Sequence, residues 1–313
     1  MRRLAVLPLA ALLIAGCEDS TTEPEELTAP SGAMLRAAPN AVDGINAELE
    51  LRGADYRVEY AELLTIDPDR QDATTIIASD RGNKRLGLEF IPNDPRRVDG
   101  DDDPNTIDVF VDFVDGATSN GLSALTTTQA IGRAMQTWDD QQCSDLGMNF
   151  IPVGADLGLV EWALGFNPAP FPLVVGDLAH AGWLPGDFFD LLAPGGSGFI
   201  LGVAFTLTFT AGDLDDNGLP DLGAREIYYN DAFPWADDGS SNVDVESIAL
   251  HEAGHGLGQA HFGKVFLDNK GALKYAPRAV MNAVYTGPQR SLLGTDNGGH
   301  CAGWGNWPNA PMR

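Results

Sequence analysis

Three histidines and one glutamate stand close together near the C-terminal end of the chain, where residues 251–261 read His-Glu-Ala-Gly-His-Gly-Leu-Gly-Gln-Ala-His. Residues four apart on a helix lie on the same face, so His251 and His255 can bind one metal ion. Glu252 follows the first histidine, which places its carboxylate beside the ion without making it a ligand. Imidazole ligands with a neighbouring base predict zinc-assisted hydrolysis. The alternative is that these are ordinary core or surface histidines.

His261 can be a third ligand only if the chain turns after His255. In a continuous helix His261 would lie about 9 Å further along the axis than His255, at 1.5 Å per residue. Zinc–nitrogen bonds are about 2.1 Å long, so one ion could not reach both. Gly256 and Gly258 lie between them and can adopt positive φ at little cost. We therefore expect a turn at these glycines and a three-histidine zinc site.

The elements that must position this motif begin with a helix over residues 243–256. Ser241 is the expected N-cap, with Asp244 at the third position after it. Upstream, the pattern predicts a strand from residue 106, with one face buried and the other mixed. It also predicts a helix over 126–142 and strands over 148–153, 199–210 and 225–229. Residues 165–200, rich in glycine and proline, read as a long loop region. Together these elements indicate an α+β domain.

The zinc motif resembles that of the metzincin proteases, and among them most closely the matrixins. Met281 and Tyr285 fall in a segment similar to their Met-turn, the loop that passes beneath the zinc. Asn282 and Ala283 stand where matrixins usually have tyrosine and proline, which puts the wall of the substrate pocket in question. The resemblance covers about residues 106–313.

From this resemblance follow several expectations. The fold would be zincin-like, with a mixed twisted sheet, an active-site helix and a small N-terminal extension. The chain would be a zinc endopeptidase that uses Glu252 as the general base. Met281 would form a hydrophobic floor beneath the zinc, and Tyr285 would line the pocket. Residues 194–196 and 200–209 resemble the glycine loop and the edge strand to which substrate adds as an antiparallel strand. Residues 226–231 resemble the strand that follows.

Two departures from matrixins concern metals and control. Only His180 and His300 remain outside the zinc motif, so we expect one catalytic zinc and no structural zinc. Matrixin propeptides silence the enzyme with a cysteine, but this chain has no cysteine between Cys17 and Cys143. Residues 41–98, which read as a separate unit with a hairpin-like alternation, cannot use that switch. They are a removable propeptide or a permanent part of the fold. An acidic linker over 93–105 follows them.

The first seventeen residues predict export. Arg2 and Arg3 precede an apolar run too short to span a bilayer, which is typical of a signal peptide. The run ends at Cys17 in a sequence that resembles the lipobox of bacterial lipoproteins, which implies a lipid on Cys17. An ordinary signal peptide is the alternative. Residues 18–40 read as a flexible tether. The expected location is membrane-anchored through this lipid, facing the periplasm or on the cell surface.

Cysteines and charge add two further expectations. Cys143 and Cys301 are the remaining cysteines, and in an exported protein a disulfide between them is favoured over a role as metal ligands. With 19 Lys and Arg against 45 Asp and Glu, the net charge is −26. Such a surface repels phosphates, which argues against nucleic acid as a partner. The expected partner is a protein or peptide substrate.

A candidate calcium loop lies between two predicted strands. Asp213, Asp215, Asn217 and Asp221 occupy positions 1, 3, 5 and 9 of an EF-hand-like loop, with glycine at position 6. Position 12 is Ala224, where a bidentate glutamate is expected. The loop is therefore either a calcium site or a solvated acidic turn.

The function that these patterns favour is a lipid-anchored zinc endopeptidase. The alternative is a surface-anchored binding or structural lipoprotein whose zinc site is not catalytic.

Overall fold

A computed structural model describes residues 38–81, 87–97, 103–167, 176–240 and 243–313. The predicted signal peptide with Cys17, and all but the last three residues of the predicted tether, lie outside these ranges. Six helices are described: α1 (Ala41–Leu51), α2 (Ala124–Asp139), α3 (Leu159–Leu164), α4 (Gly186–Leu192), α5 (Val245–Gly256) and α6 (Gly294–Trp304). Among the described residues, no helix is both long enough and apolar enough to cross a lipid bilayer.

Seven strands form the main sheet: β1 (Tyr56–Thr65), β2 (Thr75–Ile77), β3 (Ile107–Asp112), β4 (Met148–Val153), β5 (Leu178–Leu184), β6 (Ile200–Phe209) and β7 (Leu222–Asn230). Their order is β2-β1-β6-β7-β5-β3-β4. Strands β4, β3, β5 and β7 are parallel, whereas β6, β1 and β2 each pair antiparallel with their neighbours. Two small sheets join β8 (Trp235–Ala236) to β9 (Val243–Asp244) and β10 (Val265–Leu267) to β11 (Leu273–Tyr275). The large mixed sheet with several helices agrees with the predicted α+β class.

Alternate residues of the strands belong to two apolar clusters, because side chains alternate between the faces of a sheet. One cluster joins Leu64 of β1 and Leu201 of β6 to helices α2 and α5. Within it the Trp138 indole N–H donates to the Leu250 carbonyl at 2.9 Å, which fastens α2 to α5. The other cluster joins Leu63 and Val203 to helices α1, α3 and α4.

Strand β3 confirms the prediction of a strand from residue 106, but all of its residues are buried. It lies between β4 and β5, where both faces of a parallel sheet are covered. The expectation of one mixed face was therefore wrong. The strand predicted over 148–153 is confirmed as β4.

The expectation that residues 41–98 form a separate, hairpin-like unit was wrong. Residues 41–51 form helix α1, capped by Asn40, whose side chain accepts from the Asp43 N–H at 3.1 Å. Ile45 and Leu49 are buried at helical spacing, whereas Leu51 is 71% exposed, so the first half of the apparent alternation belongs to a helix; only its second half, from Tyr56, is a strand. Strand β1 then joins the main sheet between β2 and β6.

The reading of residues 165–200 as a long loop was also wrong, because β5 is a central strand of the sheet. Gly182 sits at an irregularity of β5, beside the shift in register that follows His180. Its φ is +106°, and a Cβ there would lie 2.6 Å from the side chain of Asp115. Gly182, one of the glycines of this segment, therefore lies at a bulge inside a strand and not in a loop.

A disulfide joins Cys143, just after α2, to Cys301 in α6, with 5.5 Å between the Cα atoms. It closes a loop that contains four of the seven strands of the main sheet and the three-histidine motif. The predicted pairing is the one that the structure contains.

Candidate metal centre and active site

The histidine motif lies on α5, every residue of which is buried. The helix begins after Asp244, whose carboxylate accepts from the Ser247 N–H at 3.1 Å. The predicted N-cap, Ser241, lies outside the described residues, and Asp244 takes the capping role instead of the third position. Because the helix is buried on every side, the orientation of its histidines is set by contacts with neighbouring elements.

The chain leaves the helix as the third ligand requires, but only one of the two glycines makes the turn. Gly258 has a φ of +86°, and its N–H donates to the His255 carbonyl at 2.9 Å. Gly256 remains helical, so its predicted positive φ was wrong. Instead, the absence of a side chain at Gly256 allows Leu178 of β5 to pack against the helix, because a Cβ there would lie 2.5 Å from the Leu178 side chain.

The turn brings the three predicted ligands together. The Nε2 atom of His255 lies 3.1 Å from that of His251 and 3.2 Å from that of His261. One ligand atom from each of the three residues falls within 4.8 Å of the others. Three ring nitrogens therefore converge on one point.

The other ring nitrogen of each histidine faces an acceptor. His251 Nδ1 lies 2.7 Å from the Val280 carbonyl, and His255 Nδ1 lies 2.7 Å from the Gln259 carbonyl. His261 Nδ1 lies 3.2 Å from the Thr74 hydroxyl, which itself donates to the Gln71 carbonyl and so accepts from the imidazole. These acceptors place each ring proton on Nδ1, which leaves the converging Nε2 atoms free to ligate a metal.

One further carboxylate, which the sequence did not predict, contacts the histidines. Glu62 of β1 lies 2.9 Å from His255 Nδ1 and is only 4% exposed. Thr74 was missed too. Both come from the N-terminal region, far from the motif in sequence, and the sequence carries no local signal that would have paired them with it.

Burial sets the charge state of the site. It holds the pKa values of His251 and His261 well below the ordinary value, and the neighbouring His255 lowers them further. Both rings are therefore neutral, as metal ligation requires. Burial opposes protonation of His255 as well, but the Glu62 carboxylate raises the pKa of this residue above its usual value.

Glu252 is placed beside the histidines without a partner of its own. Its residue is fully buried, and within the described part of the chain neither carboxylate oxygen has a hydrogen-bond partner. Burial raises its pKa to about 8. A Cβ on Gly202 of β6 would lie 2.5 Å from Glu252 Oε1, so the glycine leaves the space that the carboxylate occupies.

Met281 packs against α5 at Gly254, which lies between His251 and His255 in the sequence. It is 1% exposed, and its sulfur would lie 2.3 Å from a Cβ on Gly254. The backbone N–H groups of Val280 and Met281 donate to the Asp296 carboxylate at 3.0 and 3.1 Å. The loop beneath the histidines is therefore held in place by α6.

A pocket opens next to His251. Tyr285 lines it, and the Tyr285 hydroxyl accepts from the Asp244 N–H at 3.1 Å. The Asn282 side chain donates to the carbonyls of Phe262 and Pro277. It thereby closes the loop that forms the pocket wall. Leu64 of β1 lines the same pocket.

Strand β6 is not an edge strand, in contrast to what the resemblance implied. Strand β1 covers it, with Leu64 opposite Gly202 and Thr65 opposite Ile200. On the side of β1 that faces away from β6, the Thr65 N–H donates to the Ala283 carbonyl at 3.0 Å. The Thr65 carbonyl accepts from the Tyr285 N–H at 2.8 Å. Residues of the N-terminal region therefore fill the groove between β6 and the pocket wall.

The predicted calcium loop is held by its own hydrogen bonds. The Asp213 carboxylate accepts from the Asn217 and Gly218 backbone N–H groups, and Asp221 pairs with Arg96. Asp215 accepts from Asn217. Calcium binding by this loop stays a prediction.

The two remaining histidines have protein partners. His180 Nδ1 lies 2.5 Å from the Tyr229 hydroxyl, and His300 Nε2 lies 2.9 Å from the Ser144 hydroxyl.

Comparison with known proteins identifies no family, so any inference about function depends on the site itself. No protein-family model matches the chain, and no curated protein matches its sequence.

Proposed function

We propose that the chain is a zinc-dependent endopeptidase of the metzincin type, most similar to the matrixins. The observation that carries the proposal is the convergence of three Nε2 atoms beside a buried carboxylate without a partner. His251, His255 and His261 would hold the ion, and Glu252 would be the general base.

The donor set fits zinc. Neutral imidazoles are good zinc ligands, and each of these three has an acceptor on its other nitrogen. Three protein ligands leave a coordination position open, which is typical of catalytic sites, whereas structural zinc sites have four protein ligands. When bound, zinc supplies Lewis acidity that polarises a carbonyl and makes a water molecule more acidic.

The protein contributes the movement of protons. Glu252 would accept a proton from the attacking water and deliver it to the nitrogen of the leaving amine. A nearby divalent cation favours the ionised carboxylate, so the pKa of about 8 would fall towards the neutral range when the site is loaded. In its buried position Glu252 meets no competing partner within the described structure.

The surroundings of the site support an extended peptide as substrate. The groove between β6 and residues 283–285 offers backbone hydrogen-bonding groups on both sides, and Thr65 now uses them. The pocket beside His251 would receive a side chain of the substrate, with Tyr285 as a wall. The mixed sheet above a buried histidine helix is compatible with the proposed zincin-like fold.

Export and lipid anchoring at Cys17 belong to the same proposal. The disulfide between Cys143 and Cys301 supports it, because disulfides persist in oxidising compartments outside the cytosol.

One observation favours the alternative function, a binding or structural lipoprotein with a non-catalytic zinc. The groove is filled by β1, and Glu62 sits at the histidines, as a permanent structural part of the site would.

The test is mass spectrometry of the zinc-loaded chain incubated with a diverse peptide library, with and without a chelator. The chain is tested intact and after limited proteolysis, and we expect cleavage that the chelator stops in at least the cut form. Glu252→Gln should lower cleavage at least about a hundredfold while zinc content is retained. Glu50→Gln, at an exposed position of α1, is the control. Undiminished cleavage by the Glu252 variant would refute the assignment.

A further inference from the structure

A second group of carboxylates lies apart from the histidines and from the predicted calcium loop. Asp112 ends β3, Asp115 follows it, and Asp156 lies in the segment after β4. One oxygen from each falls within 4.8 Å of the others. Asp112 is only 1% exposed.

Glu161 of α3 adds a fourth carboxylate from a different element. It is 0% exposed, and in the described chain neither of its oxygens has a hydrogen-bond partner. Burial raises the pKa of Glu161, and the nearby charges of Asp156, Asp115, Glu226 and Asp112 raise it further. The backbone makes room for it, since a Cβ on Gly158, whose φ is +124°, would lie 2.8 Å from Glu161 Oε1.

Backbone groups from two loops hold the first of these carboxylates in place. Asp112 accepts from the N–H groups of Val114 at 2.6 Å, Asp115 at 2.9 Å and Leu157 at 2.6 Å. Asp156 accepts from the Asn167 amide at 2.8 Å. Asp112 and Asp156 are thus held in place by hydrogen bonds to the segments around them.

Positive charge is missing from this cluster. Within the described ranges, none of the four carboxylates forms an ion pair with a lysine or an arginine. Burial raises the pKa of Asp112 to about 7, of Asp115 to about 6 and of Glu161 to about 11, and their mutual repulsion adds to each. Buried carboxylates of this kind are unfavourable unless a cation or protons compensate them.

We propose that Asp112, Asp115, Asp156 and Glu161 form a calcium site that braces the end of β3 against the segment from 154 to 161. An all-oxygen, carboxylate-rich set suits calcium, whereas zinc prefers nitrogen and sulfur ligands. Magnesium is less suited, because it retains several waters in a strict octahedron.

The test is calcium titration of the calcium-depleted, zinc-loaded chain by calorimetry, together with terbium luminescence sensitised by the neighbouring Trp162. Magnesium is titrated in parallel. We expect calcium binding that Glu161→Gln and Asp115→Asn each weaken at least about tenfold. Without calcium, the Glu161 variant should be no less stable than the wild type, because burial keeps this carboxyl protonated and the amide is a neutral group of the same shape. That stability measurement separates loss of the site from loss of the fold.

The matched control is the double variant Asp213→Asn and Asp215→Asn in the other acidic loop. It should leave this binding unchanged. The proposal is wrong if the wild type binds no calcium. It is also wrong if binding survives in both the Glu161 and Asp115 variants, or is abolished by the Asp213 and Asp215 variant.

Discussion

The Glu62 carboxylate lies 2.9 Å from the Nδ1 atom of His255. Thr74 makes the equivalent contact with His261 at 3.2 Å. Two of the three histidines are thus oriented by the N-terminal region, and only His251 depends wholly on its own neighbourhood, through the Val280 carbonyl. The N-terminal region therefore both supports the metal centre and fills its groove.

Replacing Glu62 by Gln should weaken zinc binding by about 10- to 100-fold, which is the usual effect of losing a partner of a ligating histidine. The neutral amide holds the His255 proton less strongly than the carboxylate does. Competition with a chromogenic chelator measures the affinity. Glu50→Gln, on the exposed end of α1, should bind zinc as the wild type does. Equal affinity of the Glu62 variant would show that the carbonyl of Gln259 is a sufficient partner.

Gly258→Ala should lower both stability and zinc affinity. Its φ of +86° is unfavourable for a residue with a Cβ, by roughly 1–2 kcal/mol, and the added atom would lie 3.0 Å from Met312. Relief of this strain would move His261. Gly271→Ala is the matched control, since its φ is +76° and its Cβ would meet no atom within 4 Å. Denaturant unfolding should detect a loss in both variants, whereas chelator competition should separate them.

Loss of the disulfide should reduce the free energy of unfolding by about 2–5 kcal/mol, because the cross-link between Cys143 and Cys301 restricts a long loop of the unfolded chain. The variant Cys143→Ser with Cys301→Ser is compared with the wild type under oxidising and reducing conditions in urea. Reductant should shift the wild-type midpoint and leave the variant unchanged. Identical oxidised midpoints would contradict this expectation.

The contribution of this carboxylate cluster to the stability of the calcium-depleted protein should fall as the pH rises from about 4 to about 7. Burial raises the pKa of Asp112 to about 7 and of Asp115 to about 6, from an ordinary 3.8. A carboxyl whose pKa is raised by folding stabilises the fold fully below its unfolded pKa. That contribution is lost as the pH rises through the folded pKa.

Thermal unfolding across this range measures the effect. Calcium should flatten the curve because it favours the ionised groups, and Asp115→Asn should reduce the slope in its absence. If calcium changes the melting temperature equally at both ends of the range, proton release at this cluster is not coupled to binding.

Features that depend on residues close together in the sequence could be predicted, whereas contacts between residues far apart in the sequence could not. The strand at 148–153 and the helix now seen as α2 were visible because their patterns are local. Helix α1 was mistaken for a strand because its apolar residues also fit an alternation over a few positions. Strand β5 was missed because its bulge glycine resembles a loop signal.

The sequence by itself determined the three candidate metal ligands, since the spacing of His251 and His255 on a helix and a turn at Gly258 are consequences of local backbone geometry. Only the tertiary structure decided what surrounds them. Glu62 reaches His255, and Leu64 lines the pocket, because β1 pairs with β6 across a long stretch of chain. Likewise, Asp112 and Glu161 meet only where separate elements end side by side. Such contacts depend on how strands pair and pack, which no local pattern of residues encodes.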